Sequence, residues 1–189
     1  MPADTTLANF NLRFEAAGFI PLNSSYRINY ESSLAGLPFE YALGIDFPIN
    51  NTVSSSFSVR YRRRTALFVP DLVVSGIEIE PGIRAYLEKA HPNDLRLFGT
   101  AGLLLVRSAV SGILDATHDG TDPSPLSVSK NYYNIGVALG LGIEYNFTTI
   151  SSFFAGIRVG IYLSDPVRTG GLGNAGGVSF GFGYKYAIF

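Results

Sequence analysis

The side chains with chemistry to offer are charged, and they recur at every second position of extended segments. They are Arg13 and Glu15; Glu40 and Asp46; Arg60, Arg62 and Arg64; Glu78, Glu80, Arg84 and Glu88; Glu144; Arg158; and Lys185. Alternate residues of a strand share a face, so this spacing gathers them on one side. Seven are cationic and seven acidic, and six of the cations are Arg. Charges withdrawn from water must be paired, and a guanidinium forks onto a carboxylate. The balance predicts an ion-pair network in a confined interior. Catalysis has weaker candidates. The two histidines are His91, in a short predicted turn, and His118, in the longest predicted loop. A nucleophile needs a base within hydrogen-bond reach, and neither His falls on a strand. The expectation is a protein that is not an enzyme, with no catalytic residue and no cofactor. Asp115, His118, Asp119 and Asp122 surround Gly120, but an EF-hand needs a carboxylate at its twelfth position. Counted from Asp115 that position is Leu126, so a solvated acidic loop is expected, without metal.

The segments carrying these charges place apolar residues on the opposite face. Between residues 132 and 147, Tyr133, Ile135, Val137, Leu139, Leu141, Ile143, Tyr145 and Phe147 alternate with Gly, Ala, Asn and Glu144. Leu37 to Phe47 does the same around Glu40, Ala42, Gly44 and Asp46, and Phe153 to Leu163 around Gly156, Arg158 and Gly160. Similar runs begin near Phe10, Val53, Ile77 and Val178, and a less regular one spans 95–106, where Leu103, Leu104, Leu105 and Val106 are apolar on both faces. Eight strands follow. The connections alternate short (48–52, 89–94, 147–151) and long (18–36, 65–75, 107–131, 164–175). The predicted fold is all-β, an eight-stranded antiparallel up-and-down transmembrane barrel forming one domain over residues 1–189.

Bulk composition agrees. Of 189 residues 15% are charged, against roughly 25% in soluble domains. Net charge is −1, which offers nucleic acid no basic face. Cysteine is absent, excluding disulfides and thiolate metal sites. No apolar run approaches the roughly 20 residues of a membrane helix. Met1-Pro2-Ala3-Asp4 has neither the charged nor the apolar region of an export signal, so export requires a signal already removed.

A soluble lipocalin-like barrel would bury the apolar face and wet the polar one. Three features favour the inverse. The periodic runs are longer than the usual soluble strand of about 5–6 residues. The polar face is crowded with Gly, Ala and Ser, as a narrow interior needs. Its charges balance and are mostly Arg and carboxylate. Phe39, Tyr41, Phe47, Tyr145, Phe147, Phe153, Tyr184 and Tyr186 sit near predicted strand ends, the composition of an interfacial girdle. Arg63, on the outward phase at the top of the third strand, is placed to meet a lipopolysaccharide phosphate.

The chain ends Gly181-Phe182-Gly183-Tyr184-Lys185-Tyr186-Ala187-Ile188-Phe189. This terminus, with the strand pattern, resembles the small eight-stranded outer-membrane barrels, the group of the OmpA transmembrane domain, OmpX and OmpW. The resemblance implies residence in a bacterial outer membrane among lipid and lipopolysaccharide. It also implies a final strand read by the barrel-assembly machinery through Phe182, Tyr184, Tyr186 and Phe189. Here Phe182, Tyr184 and Tyr186 alternate one residue out of step with Phe189. Two roles follow: a structural barrel whose charge-filled lumen is sealed and whose loops contact a surface or envelope partner, or a narrow OmpW-like channel for small or apolar solutes.

Overall fold

A computed structural model of the chain describes residues 9–22, 39–65, 73–114, 126–163 and 176–189. It contains β1 (Phe10–Pro21), β2 (Phe39–Pro48), β3 (Val53–Thr65), β4 (Val73–Tyr86), β5 (Asp94–Leu114), β6 (Leu126–Asn146), β7 (Ser151–Tyr162) and β8 (Gly176–Ile188). Each pairs antiparallel with the next, and β1 closes on β8 with Phe10 opposite Ile188 and Pro21 opposite Gly177. The result is a closed eight-stranded barrel with no free edge.

The alternation in the sequence sets the faces. On β2, Phe39, Tyr41, Leu43 and Phe47 are exposed while Glu40, Ala42, Gly44 and Asp46 are buried. On β6, Leu139 is 63% and Leu141 75% exposed, whereas Glu144 is fully buried. Small inward residues give larger neighbours room. A side chain at Gly142 would run into the Phe98 ring, and one at Gly183 into the Phe154 ring. Phe98 and Phe154 therefore cross the lumen and meet edge-on, their centroids 6.3 Å apart.

Short turns occupy one end. Between β2 and β3 the Asn50 carboxamide oxygen accepts from the Thr52 and Val53 amides, both at 2.8 Å. Such Asx geometry closes a tight turn without help from the strands. Asn93, before β5, takes φ 60°, the left-handed region that Asn tolerates. Outside the barrel at this end Phe147, Phe153 and Tyr184 pack together, with centroids 5.1 to 6.2 Å apart. The Tyr184 hydroxyl donates to Ser151 Oγ at 2.9 Å.

The structure departs from the sequence expectation most in three places. First, β5 and β6 each run 21 residues, taking 107–114 and 126–131 from the expected long loop. Their ladder continues from Arg107↔Tyr133 to Leu114↔Leu126. Second, the facing of β5 is now fixed. Leu103 and Leu105 point out, while Leu104 and Val106 point in and join Ala138 and Tyr162 in a small apolar cluster. The lumen is apolar at that level, which is why the segment is apolar on both faces. Third, β1 continues through Gly18 to Pro21 and brings Phe19 inside.

Candidate functional site: the charged lumen and its vestibule

The inward charges form separate clusters. Glu78 on β4 is the hub of the largest. Its Oε2 accepts from Arg62 Nη2 at 2.7 Å and from the Tyr162 hydroxyl at 2.8 Å. Its Oε1 accepts from Arg158 Nη2, and Arg60 Nε lies 3.8 Å away. Arg158 Nε also donates to Glu80 at 2.8 Å. Arg60 donates to both oxygens of Glu15, at 3.0 and 3.3 Å, and to Glu40 at 3.5 Å. Arg62 Nε stands 3.0 Å from Glu40 Oε1, and the Ser179 hydroxyl donates to Glu40 Oε2 at 2.8 Å. Phe19 adds an apolar lid, its ring 4.3 Å from the Arg62 guanidinium carbon.

Glu144 on β6 centres a second cluster. It accepts from Arg96 Nη2 at 2.6 Å, from the Tyr86 hydroxyl at 2.9 Å, and from Lys185 Nζ. Arg84 Nη1 is more distant, at 3.6 Å. Arg84 lies over the rings of Phe98 and Phe154, at 4.2 and 5.1 Å, and Arg96 over Tyr86 at 3.6 Å. A cation over an aromatic face gains from the ring quadrupole, more so when desolvated. Arg13 and Asp46 make a third, closed pair, with Arg13 Nε 2.9 Å from Asp46 Oδ2.

The clusters are not neutral one by one. Around Glu78, three Arg face four carboxylates: Glu15, Glu40, Glu78 and Glu80. Around Glu144, Arg84, Arg96 and Lys185 share a single carboxylate. Between the clusters a cavity of about 40 Å³ remains, touched by Arg13, Arg60, Arg84 and Arg158. Below the Glu144 cluster the short-turn end opens into a vestibule of about 380 Å³. Tyr86, Arg96 and Lys185 line its inner part, and the turns carrying Asn50, His91 and Thr148 line its mouth.

Twelve of the fourteen charges singled out in the sequence lie in these clusters. Glu88 does not. β4 ends at Tyr86, and Glu88 is exposed in the turn that follows. It keeps the strand's phase only on paper, because the turn breaks the alternation. The side chain of Arg64 is outside the described residues, as are Asp115, His118, Asp119 and Asp122. Arg63 is exposed on the outer face, opposite Ser75 in the ladder. Phe182 and Tyr186 point outward, and Phe189 follows the last residue of β8 at the vestibule rim. The phase break before Phe189 is therefore the chain leaving the ladder. Arg96 was missed, although the flanking outward Leu95 and Leu97 already set its inward phase. Among the described residues no three His, Asp or Glu side chains converge as a metal would require.

No protein-family model matches the chain, and no curated protein does. Solved structures do match. Neisserial surface protein A is 17% identical, with 96% of this chain and 98% of that chain covered at a TM-score of 0.61. The outer membrane protein OprG of Pseudomonas aeruginosa is 11% identical, with 95% of each chain covered at a TM-score of 0.60. The N-terminal β-barrel domain of OprF from the same organism is 15% identical, covering 95% of this chain and 97% of that chain at a TM-score of 0.57. The fold is that of the small eight-stranded outer-membrane barrels. Identities this low speak for architecture alone.

Proposed function

We propose that this protein is an integral outer-membrane barrel with a sealed lumen, acting through its architecture and its long loops rather than by catalysis or conduction. One observation carries the membrane part: large apolar side chains cover the outside of the barrel while the ion pairs lie within. A twelve-residue strand such as β7 extends about 40 Å at ~3.3 Å per residue. Tilted by ~40°, it spans about 30 Å, enough for the apolar core of a bilayer. A soluble barrel would leave that apolar band in water. The likeness to OprG, an outer membrane protein by its description, supports the same location.

The sealed reading rests on the residual space. Only about 40 Å³ is accessible between the two charge clusters, room for a few water molecules at the ~10–15 Å³ one needs, and far less than the vestibule offers. Arg84, Phe98 and Phe154 fill the section beside it. The vestibule keeps a second reading open, a narrow channel entered from the short-turn side, and the barrier between the cavities is what that reading must overcome. Arg63, exposed on the outer face, meets a lipopolysaccharide phosphate in this reading. Phe182, Tyr184, Tyr186 and Phe189 are offered to the barrel-assembly machinery. The test is single-channel recording of the refolded barrel in a planar bilayer, with heat-shifted gel migration as the folding check. Silence from an inserted, folded barrel is expected, and steady openings of reproducible size would replace the sealed reading with the channel.

A further inference from the structure

The vestibule at the short-turn end is unlike the rest of the lumen. Its volume of about 380 Å³ falls in the range of small-molecule sites, ~300–1,000 Å³. Its charged lining side chains are Lys89, Arg96 and Lys185, with His91 beside them, and among the described residues no acidic side chain lines it. Glu88 and Asp94 belong to the same connection but do not line the cavity.

Two further features mark it as a site. The Glu144 cluster at its inner end carries three cations on one carboxylate. Of these, Arg84 turns to the central cavity, while Arg96 and Lys185 line the vestibule and leave one positive charge beyond Glu144 facing it, a costly arrangement unless an anion answers it. Three polar side chains lining the cavity also keep an atom without a hydrogen-bond partner: Asn146 Nδ2, Ser152 Oγ and Arg96 Nε. All three residues are more than nine-tenths buried, at 5%, 1% and 6% exposure. Buried polar atoms are nearly always satisfied; these three lie just behind the cavity surface, so the wall holds bonding capacity that a small shift of the side chains would turn to an occupant. Asn and Thr side chains of the turns supply further donors and acceptors around the mouth.

We propose that the vestibule binds a small soluble phosphate monoester carrying hydroxyl groups, a polyol or sugar phosphate. A monoester carries a charge of about −1.5 to −2 at neutral pH, matching the surplus of Arg96 and Lys185 over Glu144 taken together with Lys89. The phosphate faces Arg96, Lys185 and Lys89. The hydroxyls meet Asn146, Ser152 and the turn residues. That the site opens toward the periplasm rests on the membrane reading above; the binding itself does not.

The test is a ¹H–¹⁵N NMR titration of the refolded protein in amine-oxide micelles, which carry no phosphate. Folding is established first by heat-shifted migration, so failure of the barrel reading and failure of the site are told apart. The probe is glycerol 3-phosphate, with glycerol and inorganic phosphate as controls. Saturable shifts confined to the turn residues, Asn146 and Ser152 are expected, weaker with inorganic phosphate and absent with glycerol. Lys89→Ala, at the mouth, should weaken binding by about tenfold, the scale of one hydrogen bond to a charged group, and Ser152→Ala, in the wall outside the central network, by about fivefold, the scale of a neutral one. No saturable shift, or binding unchanged in both variants, would overturn the site. Equal affinity for inorganic phosphate would overturn the hydroxyl component. A response only to phosphatidylglycerol added to the micelle would overturn the soluble ligand in favour of a lipid headgroup.

Discussion

Replacing Glu78 by Gln tests whether the lumen charges hold the barrel together. The side chains around this carboxylate are all donors. Oε2 faces Arg62 and the Tyr162 hydroxyl, and Oε1 faces Arg158, with Arg60 Nε 3.8 Å off. A Gln amide nitrogen would meet Arg62 on one side or Arg158 on the other, and only the Tyr162 hydroxyl could turn to accept from it, so no rotamer of Gln suits the site. The substitution also leaves Arg60, Arg62 and Arg158 against Glu15, Glu40 and Glu80, with Arg62 reduced to Glu40 alone. Removing one partner of a buried ion pair costs about 3–5 kcal/mol. The shared hub places Glu78→Gln in the upper part of that range, since the surviving pairs cannot move to compensate in a close-packed lumen. Glu88→Gln is the matched control, an exposed carboxylate in a turn, expected within about 0.5 kcal/mol of the parent. Both are read by equilibrium urea unfolding in phospholipid vesicles, followed by far-UV circular dichroism because the chain has no Trp. If Glu78→Gln and Glu88→Gln fall within about 0.5 kcal/mol of each other, Glu78 is not the buried hub of an ion-pair cluster.

Three further outcomes follow from the same geometry. Leu139→Arg, at 63% exposure on the outer face, should cost about 2–4 kcal/mol in the same vesicle assay if that face meets lipid; a cost near zero would mean the face meets water. Gly183→Ala drives a Cβ into the Phe14 carbonyl and the Phe154 ring, while Gly18→Ala meets nothing within 4 Å. The first should destabilise by about 1–3 kcal/mol and the second should be neutral or stabilise by up to about 1 kcal/mol; equal effects would refute the close packing assigned to the rings. Tyr86→Ala combined with Arg96→Ala removes two side chains separating the vestibule from the central cavity. It should raise the frequency of bilayer openings over the silent parent, and continued silence would move the barrier to Arg84 and its two rings.

What the sequence made legible followed from one physical rule, that alternate residues of a strand share a face. Glu40, Asp46, Arg60, Arg62 and Arg158 could be placed inward because their neighbours Tyr41, Phe47, Tyr61, Ile157 and Val159 are plainly apolar. The rule failed where its contrast faded. Leu103 to Val106 is apolar on both faces because the lumen itself is apolar around Leu104 and Tyr162, and Arg96 was lost with that segment. Gly18 read as the start of a loop, although the ladder to β8 passes through it and carries Phe19 inside. Glu88 shows the opposite error: a correct phase carried past the end of a strand. Cluster membership was beyond pattern reading altogether. That Arg158 on β7 would meet Glu78 on β4 depends on barrel closure and strand tilt, which bring residues 80 positions apart into contact.

The charged lumen also bears on how the barrel keeps its register. Were the interior apolar as well, either face of a strand could turn outward and the barrel would survive a slip of one residue. Such a slip moves every side chain to the opposite face. Here it would carry Glu40, Asp46, Arg60 and Arg62 into the apolar exterior, while the paired partners lost their counter-charges. At about 2–4 kcal/mol for each Arg at mid-membrane depth, a single slipped strand such as β3 costs several kcal/mol before any lost pairing is counted. An apolar plug of equal volume can match the ion pairs in stability, because burying charge is expensive. It would not penalise the slipped ladder. The ion pairs are thus better understood as fixing which ladder forms than as the main source of stability. This separates two measurable effects: pairs replaced by matched apolar residues should keep equilibrium stability within about 1–2 kcal/mol while losing the uniqueness of the folded species, seen as doubled amide resonances along β3.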